Sequence, residues 1–495
     1  MIAVMKSWLN LCPRFEINWC YPSAPNNSSP TNIKPRWHIL LVALLISAAV
    51  FLAHWILTDL QSGSSPSKVE LYWCSPFVVL LLALAVLPVV VPHVWHRHYI
   101  MICGGIGFLA ALGYSFGLNG LKDEAESLAL YLPFITLLSA LFVIASGIQV
   151  AVNHPASPVS NVMMLLLGAI LANVLGTTGI SILLIRPFLE MNMKRLQPFH
   201  IVFFVFIVSN IGGVLTPMGD PPLLAGFLFG MPFWWMLRHA WAPWLLAISL
   251  LLLVFYLMDR RIPSSKASSG VNSVANCIKL TGLGQLFFIC LVLAGLFLSS
   301  PWSEIVMIMA AGISLSLTPA MVHGNNHFTF YPLREMAILF LGIFLTMAPV
   351  LNILSHASEE GKLDNALKTP GRCYILAGGL SAFLDNTPTY LACLQSRAVQ
   401  GQSNQTDSNL TGEKKTKILQ NLAANPVEGL YTLAISLGAV FFGAATWIGN
   451  GPNLLIKSIA EESGIACPSF VAYILKYTIP ILLPVLVLVW LVFLL

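Results

Sequence analysis

Read for hydrophobic and polar positions alone, the chain alternates apolar runs of about 20 residues, enough to cross a bilayer as helix, with short polar connections. Such runs lie near 38–59, 72–92, 99–118, 131–150, 199–230, 240–258, 281–299, 302–321, 333–354, 428–457 and 468–495. The pattern predicts an all-α polytopic membrane protein. Two further apolar segments, about 159–185 and 370–394, carry polar residues in their middle: Gly176-Thr177-Thr178-Gly179 in one, Asp385-Asn386-Thr387-Pro388 in the other. A polar tip between two apolar arms predicts a re-entrant hairpin that enters and leaves on the same side.

The run at 199–230 is apolar at both ends, yet its middle holds Gly212, Gly213, Pro217, Gly219, Asp220, Pro221 and Pro222. Lipid cannot hydrogen-bond a broken backbone, so such a break survives only against protein or a water-filled cavity. An ionisable residue at bilayer depth is itself a mark of a functional site. Break and carboxylate coincide at Asp220, which points to an ion or solute site in a transporter.

An internal repeat extends this reading. Val174–Ile180 lines up with Phe383–Thr389, and Gly213, Thr216, Gly219, Asp220 and Pro222 lie over Gly443, Thr446, Gly449, Asn450 and Pro452 at a constant offset of 230. The order of a span, a hairpin with a Thr-bearing tip and a broken span thus occurs twice, the best sequence pointer to a transporter site. Five spans separate the two copies, and an odd number of crossings inverts the second. The expected organisation is a cytoplasmic N-terminal segment (1–37), N-terminal transmembrane helices (38–130), a first transport repeat (131–258), a cytoplasmic linker (259–280) and a second repeat (281–495) with a polar insert at 396–426.

Composition adds the surroundings. Hydrophobic residues make up 57% of the 495, and Asp, Glu, Lys and Arg only 9%, against about 25% charged in soluble domains. The net charge of +5 orients loops: the N-terminus, Arg186–Arg195 and Arg260-Arg261-Lys266 fall in the cytoplasm, and the acidic Asp123-Glu124-Glu126 loop falls outside. The insert, with Lys414, Lys415 and Lys417, opposes this assignment. Trp234, Trp235, Trp241 and Trp244 read as an aromatic belt. Nine cysteines form no Cys-x-x-Cys pair, and Cys103, Cys290 and Cys393 read as buried thiols. No basic stretch suggests nucleic acid. No nucleophile elbow or P-loop suggests an enzyme or ATP-driven transport. No cofactor is expected, and the first span is expected to stay as an uncleaved anchor of a bacterial-type inner membrane.

A broken helix exposes carbonyls of partial negative charge at one half-helix end and amides of partial positive charge at the other. Carbonyls with Thr, Asn and Asp oxygens suit sodium; amide ends suit a carboxylate. A buried Asp near a cation site binds a proton or sodium in competition, the minimal mechanism of exchange. Asp220 and Asp385 therefore carry the candidate exchangeable charge, with helix capping as the structural alternative for each. Asn173, Thr177 and Thr178 at the first tip, Ser209, Asn210 and Thr216 before the first break, and Asn386, Thr387, Thr446, Asn450 and Asn453 in the second half complete the polar set. Each alone is an ordinary interhelical hydrogen-bonding residue; clustered at tips and breaks, they read as ligands. Gly212, Gly213, Gly219, Gly443 and Gly449 serve the backbone at the breaks.

Ser209-Asn210-Ile211-Gly212-Gly213 followed by Thr216-Pro217-Met218-Gly219-Asp220 resembles the Ser-Asn-x-Gly-Gly…Ser-Pro-x-Gly-Asp pattern of NhaD-type sodium/proton antiporters. Asp385-Asn386-Thr387-Pro388 is similar to the Asp-Asn-x-Pro hairpin of antiporters and arsenite permeases. Over about 131–458 the chain resembles the ion transporter superfamily, which also holds dicarboxylate and citrate symporters. The resemblance implies an inverted-repeat fold, often a homodimer, with hairpin tips meeting broken helices at the ion sites. Two departures matter: the tips lack the Ser-Asn-Thr of sodium-coupled dicarboxylate members, and Gly-Asp-Pro-Pro is shared with arsenite-permease relatives. The leading expectation is a sodium/proton antiporter with sodium and protons as partners. The alternative is a sodium- or proton-coupled carrier of citrate or another small organic anion. A structural membrane protein without transport is a third class, for which broken spans serve no purpose.

Overall fold

The computed structural model describes residues 14–18, 37–60, 69–152, 156–228, 230–262, 277–325, 329–359, 367–384, 386–400 and 425–495. The chain opens with a strand β1 (Arg14–Asn18) and α1 (Trp37–Leu60), followed by α2 (Ser75–Val90), α3 (Pro92–Tyr99), α4 (Gly105–Gly117), α5 (Leu121–Ala145) and strand β2 (Gln149–Val152). Then come α6 (Pro158–Leu175), α7 (Thr177–Asn192), α8 (Pro198–Ile207), α9 (Pro221–Leu228) and α10 (Trp235–Asp259). Strand β3 (Cys277–Thr281) leads to α11 (Gln285–Gly295), α12 (Trp302–Leu317), α13 (Ala320–Asn325) and α14 (Tyr331–Glu359). The chain closes with α15 (Pro370–Leu384), α16 (Asn386–Gln400), α17 (Pro426–Phe442), α18 (Gly451–Glu462), α19 (Phe470–Tyr473) and α20 (Leu483–Phe493). Among the described residues nine helices are long and apolar enough to cross a membrane, so this is a multi-pass helical membrane protein.

The helix starts follow from sequence. Ser157 caps α6 by accepting from the Ser160 amide at 3.1 Å, Asn425 caps α17 through the Val427 amide at 3.0 Å, and Pro158, Pro198, Pro221 and Pro426 sit where the missing N–H costs nothing. Packing grades from outside in. In α1, Leu41, Leu45, Phe51 and Trp55 are exposed, as lipid-facing side chains are, whereas every residue from Phe199 to Ile207 in α8 is buried. The first broken helix is therefore at the centre of the molecule.

One finding adds to the sequence reading and two correct it. The membrane-crossing body is helical, as expected, and carries one small sheet besides, in which β3 pairs parallel with β1 and antiparallel with β2. Five-residue alternations such as Arg14-Phe15-Glu16-Ile17-Asn18 are too short to register beside apolar runs of 20. The sheet gathers the N-terminal segment, the end of α5 and the linker before α11 on one face of the molecule. Second, Asp123, Glu124 and Glu126 are no external loop. They belong to the opening turns of α5, where helix N-termini favour acidic residues, and Glu124 is buried. Third, Cys103 and Cys393 are buried as expected, but Cys290 is exposed on α11. The insert lies mostly outside the described residues.

Candidate functional site

Both long apolar runs with central glycines are broken where the sequence places the break. After α8 ends, residues 211–215 form one 3-10 turn, Thr216 is extended (φ −137°, ψ 156°), and α9 starts only at Pro221. After α17 ends, Gly443–Ala445 form a 3-10 turn, Thr446 is extended (φ −138°, ψ 167°), and α18 starts at Gly451. The two threonines do the same work. Thr216 Oγ1 donates to the Asn173 carbonyl and Thr446 Oγ1 to the Ala382 carbonyl, each at 2.5 Å. Asn173 and Ala382 each lie two residues before the end of their helix, α6 and α15.

The glycines allow backbone against backbone. A Cβ on Gly219 would strike the Gly213 carbonyl, and one on Gly449 would lie 2.7 Å from the Gly443 carbonyl. At the first tip Gly176 turns the chain between α6 and α7 with φ +75°, a conformation that disfavours any side chain. The Thr177 amide then donates to the Gly219 carbonyl at 2.8 Å, locking tip to break.

Amide side chains occupy the carbonyl ends. Asn173 Nδ2 donates to the Gly212 carbonyl at 2.7 Å, while its Oδ1 accepts from the Leu215 amide at 2.9 Å. Asn453 Nδ2 donates to the carbonyls of Gly443 (2.8 Å) and Thr446 (2.9 Å). Asn210 Nδ2 donates to Val205 O and to Asn453 Oδ1, both at 2.8 Å, and its own Oδ1 accepts from Asn450 at 3.0 Å. A chain Asn450–Asn210–Asn453 thus ties one break to the other. Ser209 and Ser181 share a hydrogen bond at 2.8 Å.

The amide ends face Asp220, which is 1% exposed. Its Oδ1 accepts from Thr177 Oγ1 at 3.0 Å and Asn450 Nδ2 at 3.2 Å, and its Oδ2 accepts from Asn386 Nδ2 at 2.6 Å. Those donors come from the first tip, the second break and the second tip. Thr177, Asn386 and Asn450 stand at or beside the starts of α7, α16 and α18, and Asp220 itself precedes α9. Four helix starts therefore meet at one carboxylate, each carrying partial positive charge. A cavity of ≈ 20 Å³ beside it is lined by Thr177, Thr178, Met218, Gly219, Asp220 and, from α5, Leu141.

The expected residues thus fall into two groups. Asp220, Thr177, Asn386 and Asn450 meet at one point, with Thr178 on the cavity wall and Thr387 buried beside Asn386. Asn173, Ser209, Asn210, Thr216, Thr446 and Asn453 hold the breaks together. Asp385 lies outside the described residues.

Three things had no local signal in sequence. Half-buried Trp244 donates its Nε1 to the Gly212 carbonyl at 3.2 Å, and Trp235 is buried, leaving Trp234 and Trp241 exposed. Ser381 donates to the Ala439 carbonyl, staking the second hairpin to α17. Around Asp259, buried at the end of α10, Arg195 donates at 2.6 Å, Asn161 at 2.8 Å, and His200 lies at 3.2 Å. This network clamps the base of the first hairpin to α8 and α10. Arg195, read as a loop charge, is a buried one.

Broken helices inside a multi-pass helical body, meeting at a buried carboxylate, define a membrane transport protein. Residues 66–494 match the model of a family described as "Putative citrate transport" (CitMHS_2), and the chain belongs to that family. No curated protein matches the chain.

Proposed function

We propose that this protein carries a citrate-type carboxylate across the membrane together with a cation, sodium or a proton, that neutralises Asp220. The observation carrying this reading is the burial of Asp220 among donors from three separate segments. The family description supports the cargo class. The four helix starts supply a field suited to an anion, and the carbonyls of Gly212, Gly443 and Thr446 already accept from asparagine amides, which leaves less of a hard-oxygen shell for a resident cation. A charged cargo about 5 Å from a charged Asp220 is repelled by roughly 3 kcal/mol at an effective dielectric of about 20. Cargo therefore binds best when Asp220 is neutralised, and cation and anion move together.

The scaffold in this reading is a pair of inverted repeats, 131–258 and 281–495. Supporting it, α6 starts just after the small sheet. By contrast α15 follows the end of α14, where Asn352 faces Asp123 at the start of α5. The hairpins then enter from opposite faces and meet at Asp220. The basic loops support a cytoplasmic N-terminus, and the inner membrane is part of the same reading.

Sodium/proton exchange is the second reading, favoured by one observation: the ≈ 20 Å³ cavity holds about one water-sized particle. Uptake of labelled citrate by proteoliposomes under an imposed inward sodium or proton gradient separates the two. Gradient-driven citrate accumulation is expected. Sodium-evoked proton efflux with no citrate uptake would establish the exchanger instead.

A further inference from the structure

The second buried carboxyl of the described chain that stands out is Glu124, in the first turn of α5. It is 3% exposed, and neither of its oxygens has a hydrogen-bond partner. Glutamates in a first helical turn are ordinarily explained by capping or by exposed interaction with the helix dipole; a buried side chain that accepts no amide does neither. Its neighbour Asp123 is well provided for, accepting from Tyr114 Oη at 2.7 Å and from Asn352 Nδ2 at 3.4 Å. Those donors go to Asp123 and not to Glu124.

A carboxylate held away from water without a donor costs several kcal/mol unless its charge is removed or matched. The groups within electrostatic reach of Glu124 are Asp123, which makes a second negative charge worse, and the hydroxyl of Tyr114 from α4. Lys122 and Glu126 share its turn. The elements packed on α5 also bring His54 and Asp59 from the end of α1, and Glu304 from the start of α12, whose Oε1 is held by Ser300 at 2.7 Å.

We propose that Glu124 is a proton-binding site, loaded from the face of the molecule opposite the small sheet. Its place in the fold gives the site a use. Helices α5 and α14 run antiparallel: Asp123 meets Asn352, Tyr131 Oη donates to the Ala337 carbonyl at 2.9 Å, and Phe134 meets Phe340 edge to face. The seam ends where Leu141 and Met336 line the cavity at Asp220. Glu124 thus sits at one end of a two-helix seam and Asp220 at the other, about 25 Å apart along α5 at 1.5 Å per residue. A proton held at Glu124 biases the end of the seam that must loosen for α5 and α14 to separate.

Infrared difference spectroscopy of the lipid-embedded protein, between about pH 6 and about pH 9, tests the site without reference to cargo. The carbonyl band of a protonated carboxyl is expected, lost in Glu124→Gln, shifted but present in Glu124→Asp, and retained in Asp220→Asn. Labelling by the apolar reagent dicyclohexylcarbodiimide, read by peptide mass spectrometry, should place an adduct on Glu124 whose yield falls as pH rises. A band unchanged in Glu124→Gln, or no pH-dependent adduct on Glu124, overturns the proposal. Failure here leaves the reading of Asp220 standing, because the Asp220→Asn protein is measured alongside.

Discussion

The two helix breaks are built from the same backbone parts and differ in their side chains. Each has a 3-10 turn, an extended threonine bonded to a carbonyl near a hairpin tip, and two glycines in backbone contact. Where the first places Asp220, the second places Asn450. The carboxamide serves as a donor: it reaches across to Asp220 and to Asn210. The carboxylate can only accept, so the site is polarised toward one acidic centre and not divided between two. The two breaks share their backbone devices and differ in side-chain chemistry: the first holds the carboxylate, and the second supplies Asn450 as one of its donors.

The hairpin bases differ as well. The first is clamped by Arg195, His200, Asn161 and Asp259, all buried. The second is held by Arg397 and Glu428, 2.7 Å apart with side chains 15% and 18% exposed, and by Arg397 stacked on Tyr431. Burial makes the first clamp costlier to break than the second.

The largest expected effect comes from the glycine contacts. Gly219→Ala puts a methyl group into the Gly213 carbonyl and should abolish recovery of folded, monodisperse protein. Gly449→Ala, with 2.7 Å available to the Gly443 carbonyl, should yield folded but destabilised protein; equal behaviour of the two would contradict the difference in packing. Next, Asp259→Ala strands a buried arginine and should cost about 3–5 kcal/mol in an unfolding measurement. Glu428→Ala breaks a bidentate pair that is partly open to solvent and should cost less, about 1.5–3 kcal/mol. Asn450→Asp removes the asymmetry of the breaks by adding a second carboxylate, and citrate binding should weaken about tenfold, roughly 1.4 kcal/mol. The smallest effect is Thr177→Val, which removes one neutral donor and should cost about 1 kcal/mol of cargo affinity.

Much of this was legible in the sequence because helix breaks are written locally. Gly-x-x-Thr-x-x-Gly followed by Asp or Asn and Pro states a bend, a staple and a restart within ten residues, and the same pattern recurs at an offset of 230. What was not legible depends on distance along the chain. Asn161, Arg195, His200 and Asp259 come from four segments, each reading as an ordinary helix end. Glu124 reads as a loop acid until α1, α4, α12 and α14 are packed around its turn. Trp244 reads as a lipid-interface tryptophan because nothing nearby in sequence announces the Gly212 carbonyl it meets. The strands escaped notice because pairing over 130 and 260 residues leaves no periodic trace in five.

The central claim is that neutralising Asp220 and binding the cargo are one coupled event. Coupling of this kind is reciprocal, so equilibrium titration of citrate against the purified protein, repeated across sodium concentration and pH, measures it directly. The account predicts that the wild type binds citrate more tightly as sodium or protons are added, and that Asp220→Asn binds with an affinity indifferent to both. An Asp220→Asn protein that keeps the wild-type dependence would contradict it.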